Sequence, residues 1–187
     1  MKKITKIIAI LALVGLNFSC KEDETTPKTI TDVVVENADF SLLKAAVTRA
    51  GLAEALKSGS LTVFAPNNAA FIAAGFANEA AINAAPIATL DAVLKYHVLS
   101  TKNLSTALPT AANTEVTTLG GSKAYITKGT GGVSINGAKV IQADLEASNG
   151  IIHVIDRVIL PPAGDLVAVA AGNPNFSLLV AAVTRVG

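Results

Sequence analysis

His97, His153 and Cys20 are the side chains of this 187-residue chain best suited to metal binding, nucleophilic attack or proton transfer near neutral pH. The two histidines stand far apart, and neither has carboxylates or thiols clustered beside it, which makes a poor zinc-ligand pattern. A serine nucleophile would want a strained G-x-S-x-G elbow. Gly120-Gly121-Ser122-Lys123-Ala124 has alanine where the second glycine belongs, so the motif fails. No glycine-rich loop leads into the Gly-Lys-Ser/Thr that holds phosphates. Gly129-Thr130-Gly131-Gly132 reads instead as a hairpin turn. The expectation is a chain without a catalytic site, a metal or a cofactor.

Cys20 fits a different chemistry. Lys2, Lys3 and Lys6 precede an apolar run from Ile7 to Phe18, and Ser19 stands directly before the cysteine. That run is too short for a hydrocarbon core, which takes about 20 residues. It has the make-up of a secretory signal. A cysteine at its end resembles a bacterial lipobox, which implies that residues 1–20 are a lipoprotein signal and that Cys20 is the lipidated residue. Stable anchoring takes about two acyl chains, and bacterial lipoproteins carry two or three. Lys21-Glu22-Asp23-Glu24 resembles the lysine-plus-acidic surface-export signal of Bacteroidota lipoproteins, and residues 21–29 read as a polar tether. The expected location is the bacterial outer membrane, facing out of the cell, with a periplasmic face as the alternative.

The three lysines of residues 1–20 have no acidic counterpart, so the rest of the chain holds 12 of the 15 basic residues against all 14 acidic ones, a formal charge of −2. Such a balance argues against a nucleic-acid partner. About 165 mature residues suit one domain with a sizeable core. No cysteine follows Cys20, so that core must hold the fold without a disulfide. Trp is absent and Tyr occurs twice, a thin supply of rings for stacking sugars or bases. Among Phe64, Phe71, Tyr96 and Tyr125 the phenylalanines read as core. Thr117, Thr118, Thr127 and Thr130 read as exposed hydroxyls that suit a polysaccharide or an ordinary solvated sheet face.

The sequence repeats itself. Asn37 to Gly51 returns as Asn173 to Gly187, with eleven of fifteen positions identical at an offset of 136 residues. A period of domain size indicates tandem globular units rather than a solenoid. Pro161-Pro162-Ala163-Gly164 reads as the linker between them. Residues 30–163 are then one complete domain, and 164–187 open a second that is truncated, in a longer protein or a gene cut short. The alternative is a C-terminal helix that packs on the first domain or on a second molecule.

Within the complete unit, Phe40, Leu42, Leu43, Ala46 and Val47 recur at helical spacing, with Asp39 or Asn37 as the cap and Gly51 as the stop. Leu52 to Lys57 is expected as a second short helix. Leu61 to Ala65 reads as a strand ended by Pro66, and Asn67 or Asn68 caps the next helix. Residues 69–85 are an alanine-rich helical stretch, and Ile87 to Leu99 is read as one helix carrying His97 on its apolar face. Beyond residue 114 the pattern becomes a β-meander. Asn136-Gly137 between apolar runs is its strongest hairpin signal, and His153 is placed on an alternating strand. Asp156 and Arg157 are expected to pair across the closing strands. Helices first and strands later make an α+β domain.

Three segments in order carry a family resemblance: Leu61 to Phe71, then Leu94 to Leu99 with Tyr96-His97, then Asn149 to Pro161. Together they resemble the two signature blocks and the Tyr-His motif of the fasciclin domain. The resemblance implies a twisted β-sheet wedge with packed helices, and adhesion as the function, with surface proteins or matrix polysaccharides as partners. It implies cell–cell, cell–matrix or biofilm attachment and no reaction. It places Tyr96 and His97 at the motif discussed for adhesion, where a buried structural role is the favoured reading. It makes Pro66, Asn67 and Asn68 the signature turn. A spacer or self-associating envelope lipoprotein, or a glycan-binding module, is the alternative.

Overall fold

The computed structural model describes residues 27–162. Cys20, the signal, most of the tether and residues 163–187 lie outside the described residues. Thr29 caps helix α1 (Ile30–Glu36), its hydroxyl accepting from the Asp32 amide while the Asp32 carboxylate takes the Thr29 amide. This reciprocal pair satisfies two donors that a helix start leaves orphaned. A single 3₁₀ turn, Ala38–Phe40, leads into α2 (Ser41–Ala50). Asn37 rather than Asp39 caps the 3₁₀ turn, accepting from the Asp39 amide. Gly51 ends α2 in the left-handed region at φ 70, as its position predicts. Leu52 to Lys57 forms a succession of turns, not the expected helix.

Strand β1 (Leu61–Pro66) follows, then the helices α3 (Asn68–Ala73), α4 (Glu79–Ala84) and α5 (Ile87–Tyr96). The α5 helix stops three residues before the sequence reading, because Val98 and Leu99 leave it as a short strand, β2. They pair antiparallel with Val63 and Thr62. The second half supplies β3 (Thr114–Thr117), β4 (Lys123–Gly129), β5 (Gly132–Ile135), β6 (Ala138–Ala147) and β7 (Gly150–Ile155). Asn136 and Gly137 take φ 48 and 80, which the two central positions of a tight hairpin require.

The seven strands form one mixed sheet in the order β2-β1-β7-β6-β5-β4-β3, in which β1 and β7 run parallel and every other pair is antiparallel. The turn after β3 reaches back to the far edge, where the Leu119 amide donates to the Val98 carbonyl at 2.7 Å. That bond draws the sheet into a nearly closed wedge. Two cores result. Leu61, Val63, Ala65, Ile152 and Val154 face the helices, packing with Ile30, Phe40, Leu43 and Val47. Phe64 and Ile155 face the inside of the wedge with Tyr96, Leu108, Ile126 and Ile135. Every residue of β1 and β7 is buried, so His153 lies on a strand covered on both faces rather than on an alternating one.

Candidate functional site

Tyr96 and His97 sit at the C-terminal end of α5, and both are buried. His97 Nδ1 lies 2.7 Å from the Val93 carbonyl, one turn back, and Nε2 accepts the Ile159 amide at 3.0 Å. A ring that accepts at Nε2 must carry its proton on Nδ1, so the two bonds fix one neutral tautomer. Burial pushes its pKa down from 6.5 to about 4, against the Val93 carbonyl, which favours the charged form. His97 thereby ties α5 to the segment that leaves β7, and neither ring nitrogen is left for a ligand.

Tyr96 points into the wedge. Its hydroxyl donates to the Lys123 carbonyl at 2.8 Å and accepts from Asn136 Nδ2 at 2.7 Å. Asn136 Oδ1 in turn accepts the Tyr125 amide at 2.8 Å. The motif's tyrosine is therefore wired to the β5–β6 turn and to the outward-facing Tyr125.

The second histidine is equally occupied. His153 Nδ1 accepts the Asp144 amide at 3.2 Å and Nε2 faces the Asn103 carbonyl at 3.1 Å, with burial pushing its pKa down. Asp144 stands at an irregularity of β6 with φ 59. Desolvation would raise its carboxyl, but bonds from the Ser105 hydroxyl and amide outweigh it and hold the pKa below the usual range. Thr62 takes the Asn103 amide, so the 100–108 loop is stitched across β1 and β7. Among the described residues no group of three or more His, Cys, Asp or Glu comes together to hold a metal ion.

The signature turn divides its work. Asn67 caps α3, accepting the Ala70 amide at 2.9 Å. Asn68 reaches back instead: its Oδ1 accepts the Leu42 amide at 3.0 Å, and its Nδ2 donates to the Ala38 carbonyl at 2.9 Å. The start of α2, which has no side-chain cap of its own, is thus capped from a segment 26 residues away. Pro66 ends β1, buried opposite Ile155.

Asn149 opens the third of the family segments, but its side-chain bonds had no sign in the sequence. Its Oδ1 accepts the Ile30 amide at 2.9 Å and its Nδ2 donates to the Leu56 carbonyl at 2.7 Å. It stands before Gly150, where an added Cβ would lie 2.1 Å from the Leu61 carbonyl oxygen. Asp156 pairs with Arg157 at 3.6 Å as expected, and its Oδ1 also accepts the Lys139 amide at 2.8 Å. Thr118, expected outside, is buried and donates to the Ser122 carbonyl at 2.8 Å.

Residues 38–161, which hold the Asn67-Asn68 turn, the buried Tyr96-His97 pair and the β1–β7 strand pair, match the fasciclin domain model. The chain belongs to the fasciclin family. The Synechocystis protein sll1483 is 39% identical over 183 residues, 87% of this chain and 99% of that one. Transforming growth factor-beta-induced protein ig-h3 of Sus scrofa is 38% identical over 138 residues, 72% of this chain but 20% of that longer protein. A solved fasciclin domain pair from the insect cell adhesion molecule fasciclin I superposes with a TM-score of 0.50 at 20% identity, covering 74% of this chain and 50% of that one. This last likeness establishes the fold, an α+β wedge. Among the described residues no helix is long and apolar enough to cross a membrane.

Proposed function

We propose that the protein is a lipid-anchored adhesion module whose fasciclin domain binds protein or polysaccharide partners outside the cell. The observation that carries the binding reading is the use of the family motif: Tyr96 and both histidines spend their polar atoms on the protein's own backbone and on Asn136. Groups so engaged serve to hold a surface in shape, which a binding module needs, and are not poised for proton transfer. The kinship with a cell adhesion molecule supports the same reading. In this proposal Tyr96 and His97 act through the surface they position.

Cys20 carries the lipid in this reading, and residues 21–29 hold the domain off the membrane. Residues 164–187 open a second fasciclin unit. The buried positions Phe40, Leu42, Leu43, Ala46 and Val47 all recur, as Phe176, Leu178, Leu179, Ala182 and Val183. The four differences fall at positions 38, 39, 44 and 50, none of them buried. That is the pattern expected if the copy is to fill an equivalent seat.

Protease shaving of intact cells tests the location. Loss of the anchored protein from cells, with a Cys20→Ser form released or retained elsewhere, is the expected result. Protection until the outer membrane is broken would turn the proposal toward the periplasm. Attachment of the same cells to surfaces before and after shaving tests adhesion itself, and unchanged attachment would remove it.

A further inference from the structure

Strands β3, β4 and β5 bury one face and turn the other outward. Along β4, Ala124 and Ile126 point into the wedge core while Lys123 and Tyr125 are exposed. Glu115 lies directly across from Tyr125 on β3, Thr117 across from Lys123, and Ser134 across from Thr127 on β5. Tyr125 is 44% exposed, whereas Phe40, Phe64, Phe71 and Tyr96 are buried. It is the exposed aromatic ring among the described residues.

We propose that this outer face is a platform for an uncharged polysaccharide, with Tyr125 stacking on a sugar ring; the proposal rests on the binding-module reading above. A pyranose presents an apolar ring face edged by hydroxyls. Its usual counterpart is an aromatic ring set among a few placed polar groups. Tyr125 shares its face with the exposed Thr117 and with Thr127 and Ser134, which are half-buried and bonded to Asn113 and to the Thr127 carbonyl respectively. The neighbouring Lys123 and Glu115 neutralise each other at 2.9 Å, which leaves the exposed Lys139, across from Ser134 on β6, as the cation of this face. An open depression of about 260 Å³ adjoins it, lined by Thr127, Thr130, Ser134 and Lys139.

The backbone that carries the ring is held firmly. The Tyr125 amide donates to Asn136 Oδ1, and the Tyr125 carbonyl accepts the Asn136 amide at 2.9 Å. Asn136 is held from below by the Tyr96 hydroxyl. Pre-ordering of this kind lowers the entropy lost on binding. It also makes Tyr96 a positioning residue for the surface ring, which links the buried family motif to binding without ligand contact.

The test is affinity electrophoresis of the Cys20→Ser chain through gels containing dextran, laminarin or galactomannan, with alginate as the anionic control. Retardation by at least one neutral polymer is expected, at least tenfold weaker in Tyr125→Ala and retained in Tyr125→Phe. No retardation by any neutral polymer, retardation by alginate alone, or unchanged binding in Tyr125→Ala would overturn the platform. In Tyr96→Phe, amide exchange at Tyr125 and Asn136 should quicken and binding weaken together. Quicker exchange with unchanged binding would remove Tyr96 from the assignment. Cells that attach through the protein equally well with Tyr125→Ala would keep the adhesion reading and sink the glycan platform.

Discussion

The central strand pair and the outer hairpins are built by opposite rules. In β1 and β7 every residue is buried, and even the polar ones, Thr62 and His153, are matched to backbone groups of the 100–108 loop. In β3 and β4 exposed and covered residues alternate. Parallel strands flanked on both faces read as continuous apolar runs, whereas antiparallel strands with one wet face alternate. The family signature blocks coincide with the first region, and the exposed aromatic belongs to the second. The segments that carry the family resemblance are therefore the ones packed on both faces. The proposed partner surface lies on strands with one face in water.

One chemical change made in both regions gives the largest expected contrast. Gly150→Ala places a Cβ against the Leu61 carbonyl and the Ile30 side chain. It should cost about 3 kcal/mol or prevent folding, since the parallel pair must separate. Gly131→Ala, where an added Cβ meets nothing within 4 Å, should leave stability unchanged or raise it by about 0.5 kcal/mol. Urea unfolding of the two variants checks this, and equal losses would break the comparison.

The inner region should also dominate the response to acid. His97 has a folded pKa of about 4 against 6.5. Between those values the unfolded chain binds the extra proton and the folded one does not, so stability falls as pH drops from about 6.5 to about 4. The loss from His97 is about 3 kcal/mol, with His153 acting in the same direction. Thermal unfolding against pH should show that slope, and His97→Gln should flatten it. A profile level down to pH 4 would contradict the neutral buried ring.

Smaller effects follow at the signature turn. Asn68→Ala should cost about 1 kcal/mol, as loss of a helix cap does, and should quicken amide exchange at Leu42. Asn67→Ala should instead loosen Ala70. The converse pattern would reverse the roles of the two asparagines. Smallest of all, Tyr125→Ala should shift stability by no more than about 0.5 kcal/mol while removing the proposed binding, which separates surface from scaffold.

Much of this was legible in the chain. The β1 strand, the Gly51 stop and the Asn136-Gly137 turn all followed from local chemistry: apolar run, absent Cβ, positive φ. The errors lie where a distant partner overrides a local pattern. Val98 continues the apolar spacing of α5, yet it leaves the helix because β1 offers Val63 as a pairing partner. Asn68 looks like a local cap but serves α2. Thr118 is polar and sits after a strand, yet the turn that closes the wedge covers it. Asp156 pairs with Arg157 as its sequence suggests, but its bond to the Lys139 amide across the sheet had no local sign.

The sequence by itself determined the family, the α+β order of elements, the domain-sized repeat and the burial of Phe64 and Phe71, because these rest on residue type, spacing and short-range turn geometry. Only the tertiary structure decided which ring nitrogens are occupied, which asparagine caps which helix, and that Tyr125 is the most exposed of the described Phe and Tyr rings. Those outcomes depend on bonds between groups as much as 119 positions apart, as between Asn149 and Ile30. No local pattern encodes which of two similar polar side chains will reach such a partner.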